Sequence, residues 1–228
     1  MITGLLFSIV SRPSVRMAMA AACILLPAKS AAQAACASVG VNRWAAKTMA
    51  PTAGTEARAI DPKAFGALPA PPDFRKKTRQ LGTRYTGAIG PSLHEGDLVR
   101  VAGWVQFIKT SPDDCDYHIQ ITPKRGGKSG SIIVEIPQPD ARHVADPALR
   151  AKLLAARAAL HQQLHLTGEP SAKGLRFPDP AYLEFVGALF FDGNDYPHCD
   201  SRGKGTGAVT CWEIHPVISS RVLPPPTN

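Results

Sequence analysis

Histidines and carboxylates recur at alternate positions in three short runs of this chain, and that spacing is where chemistry would sit. Asp116-Tyr-His-Ile-Gln-Ile-Thr122, Ser131-Ile-Ile-Val-Glu-Ile136 and Cys211-Trp-Glu-Ile-His-Pro-Val-Ile218 each alternate apolar with polar side chains. In an extended strand, successive side chains point to opposite faces. Tyr117, Ile119, Ile121, Ile132, Val134, Ile136, Trp212 and Ile214 then turn toward a core. Asp116, His118, Gln120, Ile133, Glu135, Glu213 and His215 turn outward. If Thr122 pairs with Ser131 across a hairpin, His118 lies directly opposite Glu135. With the third run beside the second, Asp116, His118, Glu135, Glu213 and His215 share one outward patch.

Imidazoles beside carboxylates suit a divalent metal or general acid–base work. The expected metal set is His118, Glu135 and His215, with Asp192 and His198 overhanging from a loop. The plainer alternative is a pair of solvent-edge His–Glu cross-strand contacts, each worth about 0.2–1 kcal/mol. No His-Glu-x-x-His run is present to fix a ligand geometry. His161 and His165 stand four apart on a predicted helix, where they offer a weaker metal pair or a favourable charge at the helix C-terminus.

A second class of chemistry is charge recognition. Lys124, Arg125 and Lys128 stand in one Gly-rich loop, Arg202 and Lys204 in another, and Phe74-Arg-Lys-Lys-Thr-Arg79 is a further basic run. Basic loops with aromatic neighbours can hold a single strand by charge and stacking. Here, however, Tyr117 faces the core, and Trp104 is expected to pack under the N-terminal arm. The chain has no P-loop, no Gly-x-Ser-x-Gly and no Cys-x-x-Cys, so nothing marks a phosphate cradle, a serine nucleophile or a zinc ribbon.

The elements that must position these groups follow from pattern. Asp97–Lys109 is a long β-branched and aromatic strand with Gly103 in its middle. The runs at 116–122 and 131–136 are the second and third strands. Asp146-Pro147 is a predicted N-cap with Pro at the first helical position. Leu149, Leu153, Ala156, Leu160 and Leu164 then form one apolar stripe, ended by Thr167-Gly168, with Arg150, Lys152, Arg157 and Gln163 opposite. Tyr182–Phe191 is the fourth strand and Cys211–Ile218 the fifth. The order β-β-β-α-β-β, with a mid-strand glycine in the first strand, predicts a mainly β domain, a five-stranded OB-like Greek-key barrel over residues 96–222. An open sandwich with one covering helix is the alternative. Residues 35–95, rich in Ala and Pro, are expected to be an extended arm anchored by Trp44, Phe65, Leu68 and Phe74, and residues 223–228 a frayed tail.

The N-terminus has the pattern of a secretory signal over residues 1–34: Arg12 and Arg16, then an apolar stretch too short to span a bilayer, then Ala32-Gln-Ala34. Export implies a periplasmic or secreted protein. Losing Arg12, Arg16 and Lys29 lowers the net charge of +8 by three, and the remaining mild excess of base favours anionic partners. Cys36, Cys115, Cys199 and Cys211 remain, an even set suited to disulfides. Cys199 and Cys211 flank one loop and are the expected pair, leaving Cys36 with Cys115.

Arg43-Trp-Ala-Ala-Lys-Thr48, Asp116-Tyr-His-Ile119, Ile133-Val-Glu-Ile-Pro137, Gly187-Ala-Leu-Phe-Phe-Asp192 and Glu213-Ile-His-Pro-Val217 together resemble a group of exported bacterial OB-like proteins with no assigned function. The resemblance implies shared architecture and carries no activity. The chain departs from it at Asn194–His198. Three functions remain: an exported module binding a polyanion or glycan, such as an oligonucleotide or envelope component; a metal-dependent hydrolase; and a structural or interaction domain.

Overall fold

The computed structural model describes residues 43–54, 56–74, 82–90, 92–193, 196–199 and 207–227, all within the unit Ala34–Asn228. The expected leader, Cys36, the basic residues 75–79, Arg202 and Lys204 lie outside the described residues. The protein is mainly β. Seven strands form a mixed sheet: β1 (Arg58–Ala59), β2 (Leu98–Thr110), β3 (Tyr117–Thr122), β4 (Ser131–Ile136), β5 (Leu175–Arg176), β6 (Tyr182–Phe191) and β7 (Ala208–Val222). Three helices accompany them among the described residues: α1 (Trp44–Lys47), α2 (Pro62–Gly66) and α3 (Pro147–Gln163). No helix among the described residues is long and apolar enough to cross a membrane.

β2 pairs with four strands, among them β1 in parallel at Val99 and Arg100 and β5 antiparallel at Phe107 and Ile108. Its first half, Leu98 to Trp104, pairs antiparallel with β6, and its second half, Trp104 to Thr110, pairs antiparallel with β3. The changeover falls at Gly103, where a Cβ would sit 3.1 Å from the Ile121 side chain and 3.2 Å from the Thr122 carbonyl. A side chain there would press on Ile121 and the Thr122 backbone, so glycine suits this close approach of strands. β3 and β4 form an antiparallel hairpin, β4 runs parallel to β7, and β6 runs antiparallel to β7.

β7 is longer than its apolar run. Ser219, Ser220, Arg221 and Val222 pair with Val186 back to Leu183, at an end of the sheet where side chains are partly exposed and polar residues cost little. Pro216 has no N–H to give to the ladder, and the β6–β7 register shifts across it. Gly187 makes room there: a Cβ would lie 2.3 Å from the Pro216 carbonyl oxygen.

α3 begins as expected, with the Asp146 carboxylate accepting from the Ala148 N–H and Pro147 at the first position. Leu149, Leu153, Ala156, Leu160 and Leu164 are buried against the sheet. The helix stops earlier than Thr167-Gly168. His165 takes the left-handed conformation that glycine usually supplies, at φ 51°, while its N–H reaches the Gln162 carbonyl and the Leu166 N–H reaches that of His161. Arg157, expected on the solvent side, is instead buried. It donates to the carbonyls of Cys115 (2.6 Å) and Ile136 (3.0 Å), and its guanidinium lies 3.8 Å from the centre of the Tyr117 ring.

The arm is built in rather than loosely draped. Phe65 is fully buried, Leu68 and Phe74 pack on the core, and the Trp44 indole donates to the His143 carbonyl. Arg43 holds the arm most firmly. Both its terminal nitrogens meet Glu95 at 2.7 Å, and they also donate to the carbonyls of Phe191 and Thr83. Glu95 in turn accepts from the N–H groups of Tyr85 and Phe191. Trp104, expected beneath this arm, packs elsewhere: its ring meets Tyr182 at 5.1 Å and lies under the Arg125 guanidinium.

Candidate functional site

The hairpin register sets His118 opposite Glu135, and the parallel β4–β7 pairing sets Ile133 opposite Glu213. The inward residues of these strands enter the core, so their alternates share the other side of the sheet. Asp116, His118, Glu135 and His215 do come together there. His118 Nδ1 lies 2.7 Å from Glu135 Oε1, while His215 Nε2 lies 2.9 Å from Asp116 Oδ2 and 3.3 Å from Glu135 Oε2.

The expected solvent exposure is wrong. Asp116, Glu213 and His215 have no exposed surface, and His118 and Glu135 retain only 6% and 5%. Alternation says which side of a sheet a residue takes, not what covers that side. Here the cover is α1. Lys47 Nζ enters the cluster 3.2 Å from Asp114, 3.5 Å from Glu135 and 3.8 Å from Asp116. The Lys47 carbonyl also accepts from His215 Nδ1 at 2.8 Å.

Protonation follows from these partners. One ring nitrogen of His215 faces a carbonyl oxygen and the other a carboxylate, and both of those groups only accept. Both nitrogens therefore carry protons. Burial and the nearby Lys47 charge work against the imidazolium, but hydrogen bonds to Asp116 and Glu135 outweigh them and raise its pKa to about 9. Burial also opposes the Lys47 ammonium, yet Glu135, Asp114 and Asp116 hold it well above the ordinary lysine value. Glu135, despite burial, is held well below the ordinary glutamate value by Lys47 and by its bonds to His118 and His215. Asp114 moves upward, through burial and the adjacent Asp116.

Asp116, Glu135 and His215 offer ligand atoms within 4.8 Å of one another, a set that could hold a metal ion. The donor chemistry fits poorly while the arm is docked. A metal needs the lone pair that His215 has given to a proton, and Lys47 already places a cation between the two carboxylates. Asp192, expected to complete the set, does not join it. Its N–H bonds to the Cys211 carbonyl, four residues from His215 along β7, which is about 13 Å of strand.

Lys124, Arg125 and Lys128 are exposed in the β3–β4 loop, beyond Thr122, which is itself about 13 Å along β3 from His118. Arg125 pairs with Asp179. His161 bonds to the Tyr117 hydroxyl at 2.9 Å, which also donates to Glu169, and His165 sits at the helix terminus, so no shared ligand grip forms. The Cys199–Cys211 disulfide is present as expected. Cys115 is also disulfide-bonded; its expected partner, Cys36, lies outside the described residues. Beside Cys199 runs a groove of about 580 Å³ between the β3–β4 loop and the loop before β7, lined by Ser129, Gly130, Pro197, His198, Cys199, Gly207, Ala208 and Val209.

Lys47, Asp114 and the Arg43–Glu95 pair were not singled out as site residues from sequence. The only signal is two cations four apart around Trp44 and Ala46, and nothing in that pattern tells burial from exposure. Comparison with protein-family models, curated proteins and solved structures finds no match to this chain, so any function assigned to it must come from its own geometry.

Proposed function

We propose that this protein is an exported, non-catalytic binding module built on a five-stranded OB-type barrel, and that it holds an anionic polymer at the rim between the β3–β4 loop and the loop before β7. One observation carries this most: the polar face is closed. Its carboxylates already have Lys47 and the His215 imidazolium as counter-ions, so an anionic ligand must find its charge elsewhere; Lys128, next in the chain to the groove-lining Ser129, and Lys124 in the same β3–β4 loop are exposed.

The barrel is supported by the pairings β2–β3, β3–β4, β4–β7, β7–β6 and β6–β2, which run round a ring with α3 between β4 and β6. OB barrels take oligonucleotides and oligosaccharides, an argument from fold that the groove must carry further. Export is supported by the charge–apolar–small order of residues 12–34. Mature protein should be retained on heparin or single-stranded DNA at low salt and eluted as salt rises, with Lys124→Gln and Lys128→Gln weakening retention. No retention on either column refutes the proposal.

A metal-dependent hydrolase is the competing possibility, favoured by the proximity of Asp116, Glu135 and His215. It requires Lys47 to withdraw. A melting temperature raised by zinc or manganese, with the rise lost in His215→Ala, would establish the metal site this possibility needs; a melting temperature indifferent to both metals rejects it.

A further inference from the structure

We infer that Tyr117, His161 and Glu169 form a transition-metal site, separate from the cluster beneath α1, that takes a cupric ion.

Three elements bring these side chains together. Tyr117 opens β3 and is paired with Thr110, the last residue of β2. Thr110 also holds the loop between α3 and β5: its hydroxyl donates to the Pro170 carbonyl and its N–H to that of Ser171. Glu169 stands next to this anchor, and its carboxylate accepts from the Tyr117 hydroxyl. Arg157 and His161, four apart on α3, share one helix face. The guanidinium lies 3.8 Å from the centre of the Tyr117 ring, and His161 Nε2 lies 2.9 Å from the hydroxyl oxygen.

The spacing of the donors suits a tetragonal ion. Two donors about 2.0–2.1 Å from one metal stand about 2.9 Å apart at a right angle and about 4.1 Å apart when opposite. His161 Nε2 is 2.9 Å from the Tyr117 oxygen and 3.9 Å from Glu169 Oε1. Nitrogen and oxygen donors in a tetragonal array favour Cu(II), which also binds such sets most tightly among the divalent first-row metals.

The protons in the way can leave. The Tyr117 hydroxyl gives its proton to Glu169, so His161 Nε2 donates to the phenol oxygen. His215 is locked by acceptors at both ring nitrogens. His161 is bound through Nε2 alone among the described residues, and its side chain is 25% exposed. Its proton can move to Nδ1, where water accepts it, and the Nε2 lone pair is then free. The phenol proton is released to solvent as the bond from the Tyr117 oxygen to copper forms. Weakly polarising cations such as calcium and magnesium leave that proton in place. The Glu169 side chain is 64% exposed, so it can swing to admit the ion, and water completes the coordination on that side. Arg157 does not compete for the donors: its head group is engaged by Gln138 and by the carbonyls of Cys115 and Ile136.

Cu(II) titrated into the mature protein tests this. One equivalent should produce a visible absorption band from phenolate-to-copper charge transfer and raise the melting temperature. Tyr117→Phe should abolish the band. Glu169→Gln, at an exposed position, should weaken copper affinity by about tenfold or more. His215→Ala, in the cluster beneath α1, should leave band and affinity as in wild type. If Tyr117→Phe does not fold, His161→Gln takes its place and should lose affinity as Glu169→Gln does. Absence of the band at one equivalent overturns the site, and so does an affinity unchanged in Glu169→Gln. A band lost in His215→Ala and kept in Glu169→Gln places the copper in the other cluster and overturns it equally.

Discussion

Raising the pH should weaken the fold through one residue, His215. Folding raises its pKa from 6.5 to about 9, so the folded state holds the proton more tightly than the unfolded chain does. The resulting stabilisation is complete below pH 6.5, declines as pH rises through the interval, and is gone above about 9. At 1.36 kcal/mol per pH unit, the whole effect is on the order of 3 kcal/mol. Lys47, held well above its ordinary value, keeps its charge across this window, and Glu135, held well below its own, is already ionised. Asp114, raised by burial and by Asp116, belongs to the same cluster, so a His215 variant is needed to single out the imidazole. Urea unfolding at pH 6, 7.5 and 9.5 should show the midpoint falling in wild type, while His215→Gln, already weaker at pH 6, should change far less. Nitrogen-15 shifts of the ring should report two protonated nitrogens at pH 7. A neutral imidazole at pH 7, or a midpoint that falls equally in the variant, would refute the assignment of His215 as a buried cation.

Two further perturbations test the same architecture. Lys47→Met leaves Asp114, Asp116 and Glu135 facing one another with a counter-charge removed, and should cost about 3–5 kcal/mol in urea unfolding at pH 7; the deficit should shrink at pH 4 as the carboxylates protonate, and an equal deficit at both pH values contradicts the electrostatic cause. Reducing Cys199–Cys211, which closes a loop with a sequence separation of 12, should cost about 3 kcal/mol by the loop-entropy model. A Cys199→Ser/Cys211→Ser variant with an unchanged urea midpoint would show that this loop is held by other means.

The five long strands were legible because β-branched runs and strict alternation leave little choice; the two-residue strands β1 and β5 are too short to carry such a pattern and were not foreseen. Alternation also assigned the correct sides: His118 did meet Glu135, and His215 did join them. What it could not supply was the environment of the polar side. A polar face in water and a polar face beneath another polar segment have the same period of two. Lys47 was hidden by its setting, an Ala-rich stretch without periodicity. Arg157 was misplaced because its charge was weighed over its spacing. It follows Leu153 by four residues and so borders the apolar stripe instead of opposing it, and a long side chain there can run its stem along apolar surface and bring its head group to strand-end carbonyls. The end of α3 was placed on a glycine because glycine is the commonest left-handed cap, whereas His165 takes that role here.

The arrangement around Lys47 bears directly on where a ligand can go. One residue meets two opposite needs of the face: its ammonium answers the carboxylates of Asp114, Asp116 and Glu135, and its carbonyl accepts the proton of His215. A ligand entering this face must replace a cation and a hydrogen-bond acceptor together, and each buried polar group left unmet in the exchange costs about 1–3 kcal/mol. The Arg43–Glu95 contact, four residues before Lys47, resists the same displacement, because withdrawing the arm also unpairs a buried bidentate ion pair. An approaching polyanion faces a further obstacle, since the carboxylates would repel it once Lys47 left. The rim has none of these costs. Its cations are already in water, its groove is already open, and its binding leaves the buried charges matched. A ligand that used the face would have to compete with the arm, and truncating the arm would then strengthen binding; a ligand at the rim gains nothing from that truncation.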